Sequence, residues 1–295
     1  MKYLLPHSTG VKTIQFSVSE RASSPKARGT VLSAQDLTKL WDKQGYPVTP
    51  ESRPLFHNLN EILPDGPTPE QQACLDLYET IRQHVQAPIF TQENPGLARA
   101  WFGTRLKTAG YLFNDREAII VSITDRIPTR TLFHELSHLK LRWVDRFPQL
   151  TLPDPRRNKP VEKLLNNELD HLEFLPREFE IFGPRAREKW TKEYSQFPST
   201  RGPIDKALAF PLVAIRSLLA QHVLLPPHRK KINQTARRLE LQSEVDAFVK
   251  GMTKLSPNRS DMIKFALDQF QISRSGAKIR TESPDTGKPL IQTIV

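Results

Sequence analysis

Along the chain, apolar positions at helical spacing become regular from residue 68. In TPEQQACLDLYETIRQHV (68–85), Cys74, Leu75, Leu77, Tyr78 and Ile81 fall on one face. Thr68 can serve as N-cap, and Pro69 occupies the first helical position, where its missing N–H is no loss. The pattern predicts an amphipathic helix and the start of the folded domain. TAGYLFNDREAIIVSI (108–123) then carries two short β-prone runs, Tyr111–Phe113 and Ala118–Ile123, around the turn-forming Asn114 and Asp115, and predicts a hairpin. Thr124 and Asp125 signal a helix start, Pro128 is tolerated in a first turn, and RTLFHELSHLKLRW continues as one helix ending before Pro148.

The proline-rich FPQLTLPDPRRNKP (147–160) reads as a loop, and VEKLLNNELDHLEFL follows as a helix. Pro176 is expected to break that helix and begin a new turn with PREFEIFGPRAREKW. ALAFPLVAIRSLLAQHVLL (207–225) is the longest apolar stretch, but Pro211 and Arg216 interrupt it. A membrane span needs about 20 mostly uncharged residues, so this stretch reads as a buried amphipathic helix pair. NQTARRLELQSEVDAFVKGM and SPNRSDMIKFALDQFQ are helical in pattern, whereas the last 20 residues show no core periodicity and are expected to be flexible. Before residue 67 only AQDLTKLWDKQ (34–44) looks helical, amid Ser, Pro and charge. The expected organisation is an irregular N-terminal arm (1–66), a first domain (67–200), a helical C-terminal region (201–275) and a flexible tail (276–295). The expected fold class is α+β, mainly helical with a small β-sheet or hairpin.

Composition narrows the setting. With 295 residues, 38% hydrophobic content and 25 prolines against 12 glycines, one packed domain with less ordered flanks is expected. The formal charge is +11, and from residue 226 onward 13 Lys and Arg face 7 Asp and Glu. A basic C-terminal region favours anionic partners, and PPHRKKINQTARR (226–238) is either a solvated basic linker or a nucleic-acid contact. SPNRSDMIKFALDQF (256–270) resembles the helix of small ribbon-helix-helix DNA binders, yet Met262, Ile263, Ala266, Leu267 and Phe270 equally suit a packed helix. The single cysteine, Cys74, excludes an intrachain disulfide and a thiolate zinc cage. Pro6 and His7 end the first apolar run far short of a signal-peptide core. Both points lead to an expectation of a cytoplasmic protein without membrane association.

The chemistry-bearing stretch is RTLFHELSHLKLRW (130–143), with His134, Glu135 and His138 in the spacing His-Glu-x-x-His. Two histidines four apart on a helix present both imidazoles on one face, close enough to share a metal. Glu135, beside the first histidine, can reach a metal-bound water without ligating the metal, which is the arrangement that hydrolysis needs. A solvated surface helix would carry charges around the motif, but Thr131, Leu132, Phe133, Leu136, Ser137 and Leu139 are all uncharged. Lys140 departs mildly from the pattern of zinc peptidases, which usually have an apolar residue there. A catalytic zinc site also needs a third protein ligand. Leu141 and Val144 stand where metzincins carry Gly and His, so that ligand should come from a later helix.

LPREFEIFG (175–183) resembles the gluzincin pattern Glu-Phe-x-Ala on the helix after the motif. With the hairpin and the His-Glu-x-x-His helix, the resemblance covers about 108–190. It looks like a compact gluzincin of the kind found in intracellular bacterial and mobile-element peptidases. The resemblance implies a zincin-like metallopeptidase domain in 67–200, a Zn2+ cofactor, a protein or peptide substrate, Glu178 as third ligand and Glu135 as general base. Ile181 replaces the family's small residue, so Glu180 is an alternative ligand, followed by Glu168, Asp170, His171 and Glu173. In such enzymes an edge strand pairs with the substrate, here Ala118–Ile123 or Tyr111–Phe113. Tyr111, His171, Arg185 and Tyr194 are the candidates for oxyanion support. The alternative function is a nucleic-acid-binding or protein-docking module in which the motif is structural or degenerate.

Overall fold

In the computed structural model the described residues are 53–54, 68–84, 89–93, 109–113, 118–122, 127–153, 155–194, 206–282 and 289–294. The helix expected at 34–44, the Asn114-Asp115 turn and the helix-start signals Thr124 and Asp125 lie outside them. The chain is α+β and mainly helical. Among the described residues its elements are β1 (Arg53–Pro54), α1 (Pro69–His84), β2 (Ile89–Glu93), β3 (Ala109–Phe113), β4 (Ala118–Ser122), α2 (Thr129–Trp143), β5 (Gln149–Thr151), α3 (Pro155–Tyr194), α4 (Lys206–His222), α5 (Pro226–Arg238), α6 (Gln242–Leu255), α7 (Arg259–Gln269), β6 (Lys278–Glu282) and β7 (Pro289–Thr293). Two compact units part between Lys140 and Leu141, inside α2 and inside the span 67–200 read as one domain.

In the N-terminal unit, α1 starts with a reciprocal cap. Thr68 Oγ1 accepts the Gln71 N–H at 3.3 Å, and Gln71 Oε1 accepts the Thr68 N–H at 2.9 Å. Cys74, Tyr78 and Ile81, at spacings of four and three, are its buried residues. The sheet runs β1-β2-β4-β3, with β2 and β4 parallel and β3 and β4 antiparallel. The hairpin pairs Ala109 with Ser122 and Phe113 with Ala118. Of the two strands considered for substrate pairing, β4 is interior, held on both sides, whereas β3 ends the sheet.

The C-terminal unit is built around α3 and α4. Leu164, Leu165 and Leu169 of α3, Val213 to Ile215 and Leu218 of α4, Phe248 and Met252 of α6, and Ile263 and Leu267 of α7 share one core. Gly251 makes the α6–α7 approach feasible, since a Cβ there would lie 2.1 Å from the Phe265 ring. The stretch 207–225 holds one helix, not two: α4 (Lys206–His222) runs through Pro211, and Val213 to Ala220 are all buried. Among the described residues no helix is long and apolar enough to cross a membrane.

Four further expectations are corrected. The loop expected at 147–160 contains β5 and the first turns of α3. The helix does not break at Pro176: α3 runs on through it, with Pro176 exposed and Leu175 buried. The break falls at Gly183, whose φ of +73° and ψ of −173° are open to glycine alone at low cost. The basic 226–238 stretch is a helix, opened by prolines at its first positions and anchored by buried Ile232 and Ala236. The end of the chain is not a featureless tail: β6 and β7 form a hairpin that extends β5 into a three-stranded sheet, with Ile279 and Ile294 buried. Here alternation with a period of two supplies too few apolar positions for the pattern to stand out.

Asn166 and Glu162 of α3 complete the free edge of β5. The Asn166 amide bonds both the N–H and the C=O of Leu150, at 2.8 and 2.9 Å, and Glu162 Oε2 accepts the Leu152 N–H at 2.9 Å.

Cys74 is 1% exposed, and burial pushes its thiol up from 9.0 to about 12. The folded thiol therefore stays protonated while the unfolded one ionises near its usual value, so this group's contribution is constant below about pH 9 and is lost as pH rises from there towards 12. At pH 8 the native protein should react with a thiol-specific disulfide reagent at least about 100-fold more slowly than the urea-unfolded chain. Equal rates in the two states would refute the burial.

Candidate metal centre

α2 is buried over most of its circumference, from Leu132 and Phe133 through Leu136 and Leu139 to Trp143. Within it Glu135 is 7% and His138 2% exposed, and His134 is half-buried. One helical turn apart, the two imidazoles lie with ring centroids 4.9 Å from each other and planes inclined by 82°. His171 of α3 is the third histidine. Among the described residues, His134, His138 and His171 form the group whose ligand atoms all lie within 4.8 Å of one another, and the group can hold a metal ion.

His171 is held for such a task. Its Nδ1 lies 2.9 Å from Glu168 Oε2, three residues earlier on α3, and both side chains are buried. A carboxylate only accepts, so the Nδ1 N–H donates to Glu168 and Nε2 is the ring atom left to face away from it. This carboxylate–histidine pairing is what fixes the tautomer of metal-binding histidines. Phe174 and Trp190 pack edge-on against the ring, with centroids at 5.5 and 5.1 Å.

Trp190 reaches His171 because of Gly183. In a straight helix residues 171 and 190 would be separated by about 28 Å, but the turn at Gly183 folds the end of α3 back. The same fold-back brings the Trp190 indole N–H to Glu178 Oε1 at 2.8 Å. Glu178 is fully buried, and it stands outside the three-histidine group. Glu180 is exposed and pairs with Arg177 at 2.9 Å.

Asp170, also 0% exposed, binds two guanidinium groups. Arg142 Nη2 donates to its Oδ2, and Arg259 Nη2 donates to its Oδ1 at 2.6 Å and to the Asn166 carbonyl at 3.0 Å. Arg259 also lies over the Phe147 ring at 5.3 Å, a favourable cation–π distance. Burial lowers the Arg259 pKa, with Asp170 opposing the shift. The knot carries two cations on one carboxylate, and Arg142 Nη1 and Arg259 Nε and Nη1 are buried without hydrogen-bond partners. Burial also raises the Glu173 pKa, with Arg259 opposing and Asp170 and Asp145 reinforcing the rise.

The candidates for the third ligand thus occupy separate posts. His171 faces the histidine pair, Glu168 holds His171, Asp170 clamps two arginines, and Glu178 holds Trp190. Of the oxyanion candidates His171 belongs to the metal group and Arg185 is exposed, while the side chains of Tyr111 and Tyr194 lie outside the described residues. The role of Arg142 was missed in the sequence, although a charge set between the apolar Leu141 and Trp143 was the available signal. No family model, curated protein or solved structure matches the chain.

Two outcomes follow. Replacing Glu168 with Gln should weaken divalent-metal binding by about 10- to 100-fold while leaving the helical circular-dichroism signal intact. An unchanged metal affinity would remove Glu168 from the centre. Changing Asp170 to Ala strands two buried cations and should cost about 3–5 kcal/mol in urea unfolding. A loss below about 1 kcal/mol would show that the knot does not support the fold.

Proposed function

We propose that the chain is a zinc-dependent endopeptidase with His134, His138 and His171 as metal ligands and Glu135 as general base. The observation that carries this reading is the three-imidazole group with a buried carboxylate on the same helical turn. Three imidazoles are a donor set that would suit zinc. The chemistry such a centre supplies is acidification of that water and polarisation of the scissile carbonyl.

Glu135 takes the proton of the attacking water and returns it to the leaving amine. Glu168 keeps His171 in the ligating tautomer. Trp190 and Phe174 shield that imidazole from water, and Glu178 positions Trp190 instead of serving as the ligand suggested by the gluzincin pattern. Among the described residues β3 ends its sheet, and that edge would receive an extended peptide as an added strand.

The test uses fluorescently labelled casein as substrate and metal content as a separate readout. The wild-type protein should hold one zinc per chain and cleave casein in a chelator-sensitive manner. Glu135→Gln should retain the zinc and lose at least about 100-fold in rate, the lower bound of a typical general-base contribution. Absence of stoichiometric zinc would overturn the metal reading, and cleavage at wild-type rate by Glu135→Gln would overturn the base assignment.

Nucleic-acid binding is the second reading. Its support is the exposed face of α5, which carries Lys230, Lys231, Arg237 and Arg238. Binding through that face should weaken steeply with salt.

A further inference from the structure

Outside the histidine group, the C-terminal unit contains a cavity of about 430 Å³ between α4, α5 and α6. Its volume falls in the range of small-molecule sites. Arg229 of α5 and Lys250 and Lys254 of α6 line it, against one acid, Asp246. That acid is partly engaged, since its Oδ1 accepts the Gln242 amide at 2.8 Å. Neither lysine has an acidic partner among the described residues. Lys250 and Lys254 are four apart on one helical face, where like charges repel each other.

Two buried polar atoms of the lining are also without partners: the Ser217 hydroxyl oxygen, on a residue 8% exposed, and Arg229 Nε. Leaving such groups unpaired is costly, so a site that keeps both has unused hydrogen-bonding capacity. The remaining lining joins the polar Asn233 and Thr253 to the apolar Ala220 and Val249. Arginine's fork and lysine's point charge are the usual means of holding phosphate.

We propose that this cavity is a binding site for a phosphate-bearing small molecule, with Arg229, Lys250 and Lys254 on the phosphate and Ser217 and Asn233 on polar groups of the attached moiety. The concave shape favours a small ligand. Nucleic-acid backbones are met by exposed basic faces such as that of Lys230 and Lys231. The site involves none of the three histidines and stands independently of the peptidase reading.

Inorganic phosphate and ribose 5-phosphate serve as probes in isothermal titration of the full chain at constant ionic strength. Both should bind saturably at one site, ribose 5-phosphate more tightly, and Arg229→Gln with Lys250→Gln should weaken each by at least 10-fold. His222 gives a second readout, because burial and Arg229 hold its pKa below the usual histidine value and its Nε2 lies 3.2 Å from Thr253 Oγ1 at the cavity. Phosphate should raise that pKa in an NMR titration, and the rise should vanish in the double variant. If the double variant unfolds, the exposed Lys254→Gln alone should still weaken phosphate binding several-fold. The proposal is overturned by an absence of saturable binding, by equal affinity in the variants, or by a 20-base-pair DNA duplex that displaces phosphate and binds more tightly than ribose 5-phosphate.

Discussion

The fold around the histidines depends on a carboxylate that has no access to water. Asp170 sits at full burial between Arg142 and Arg259, three residues drawn from α2, α3 and α7. Burial of ions is costly, and a pair repays it only when geometry and further hydrogen bonds are favourable. Here the Asn166 carbonyl and the Phe147 ring provide part of that compensation. The arrangement therefore contributes more to uniqueness of packing than to net stability. A helix slipped by one residue would leave buried cations without a counter-charge.

That selectivity bears directly on the site. Arg142 lies one turn beyond His138, and Asp170 is the immediate neighbour of His171. Fixing Asp170 fixes the position on α3 that carries His171. Asn166 and Glu162 add a second constraint by tying the same face of α3 to β5. Along α3 the polar residues are thus divided among strand edge, ion knot, histidine orientation and indole support, and little of that helix's buried polarity is unassigned.

Much of the helical framework was legible from residue spacing. Thr68, Pro69 and the Cys74-Tyr78-Ile81 stripe specify α1 locally, and the hairpin's β-prone runs specify β3 and β4, so no distant contact was needed to find them. His134 and His138 were equally legible, being one helical turn apart. The third member of the group was not. His171 and Glu178 lie two turns apart on one helix, and local pattern ranks the carboxylate in the Glu-Phe-Glu-Ile stretch above the histidine. What separates them is a fold-back at Gly183 and a partner, Trp190, twelve residues beyond Glu178. The C-terminal hairpin was also hidden, because β6 and β7 gain their stability from β5, more than 120 residues earlier.

The Gly183 fold-back has a consequence for the order in which the structure can assemble. Trp190 meets Glu178 across a separation of 12 residues and His171 across 19. Asp170 meets Arg259 across 89. Closing a short segment is entropically cheaper than closing a long one, and local contacts form faster. The aromatic cover over His171 can accordingly be in place while the chain is still largely open.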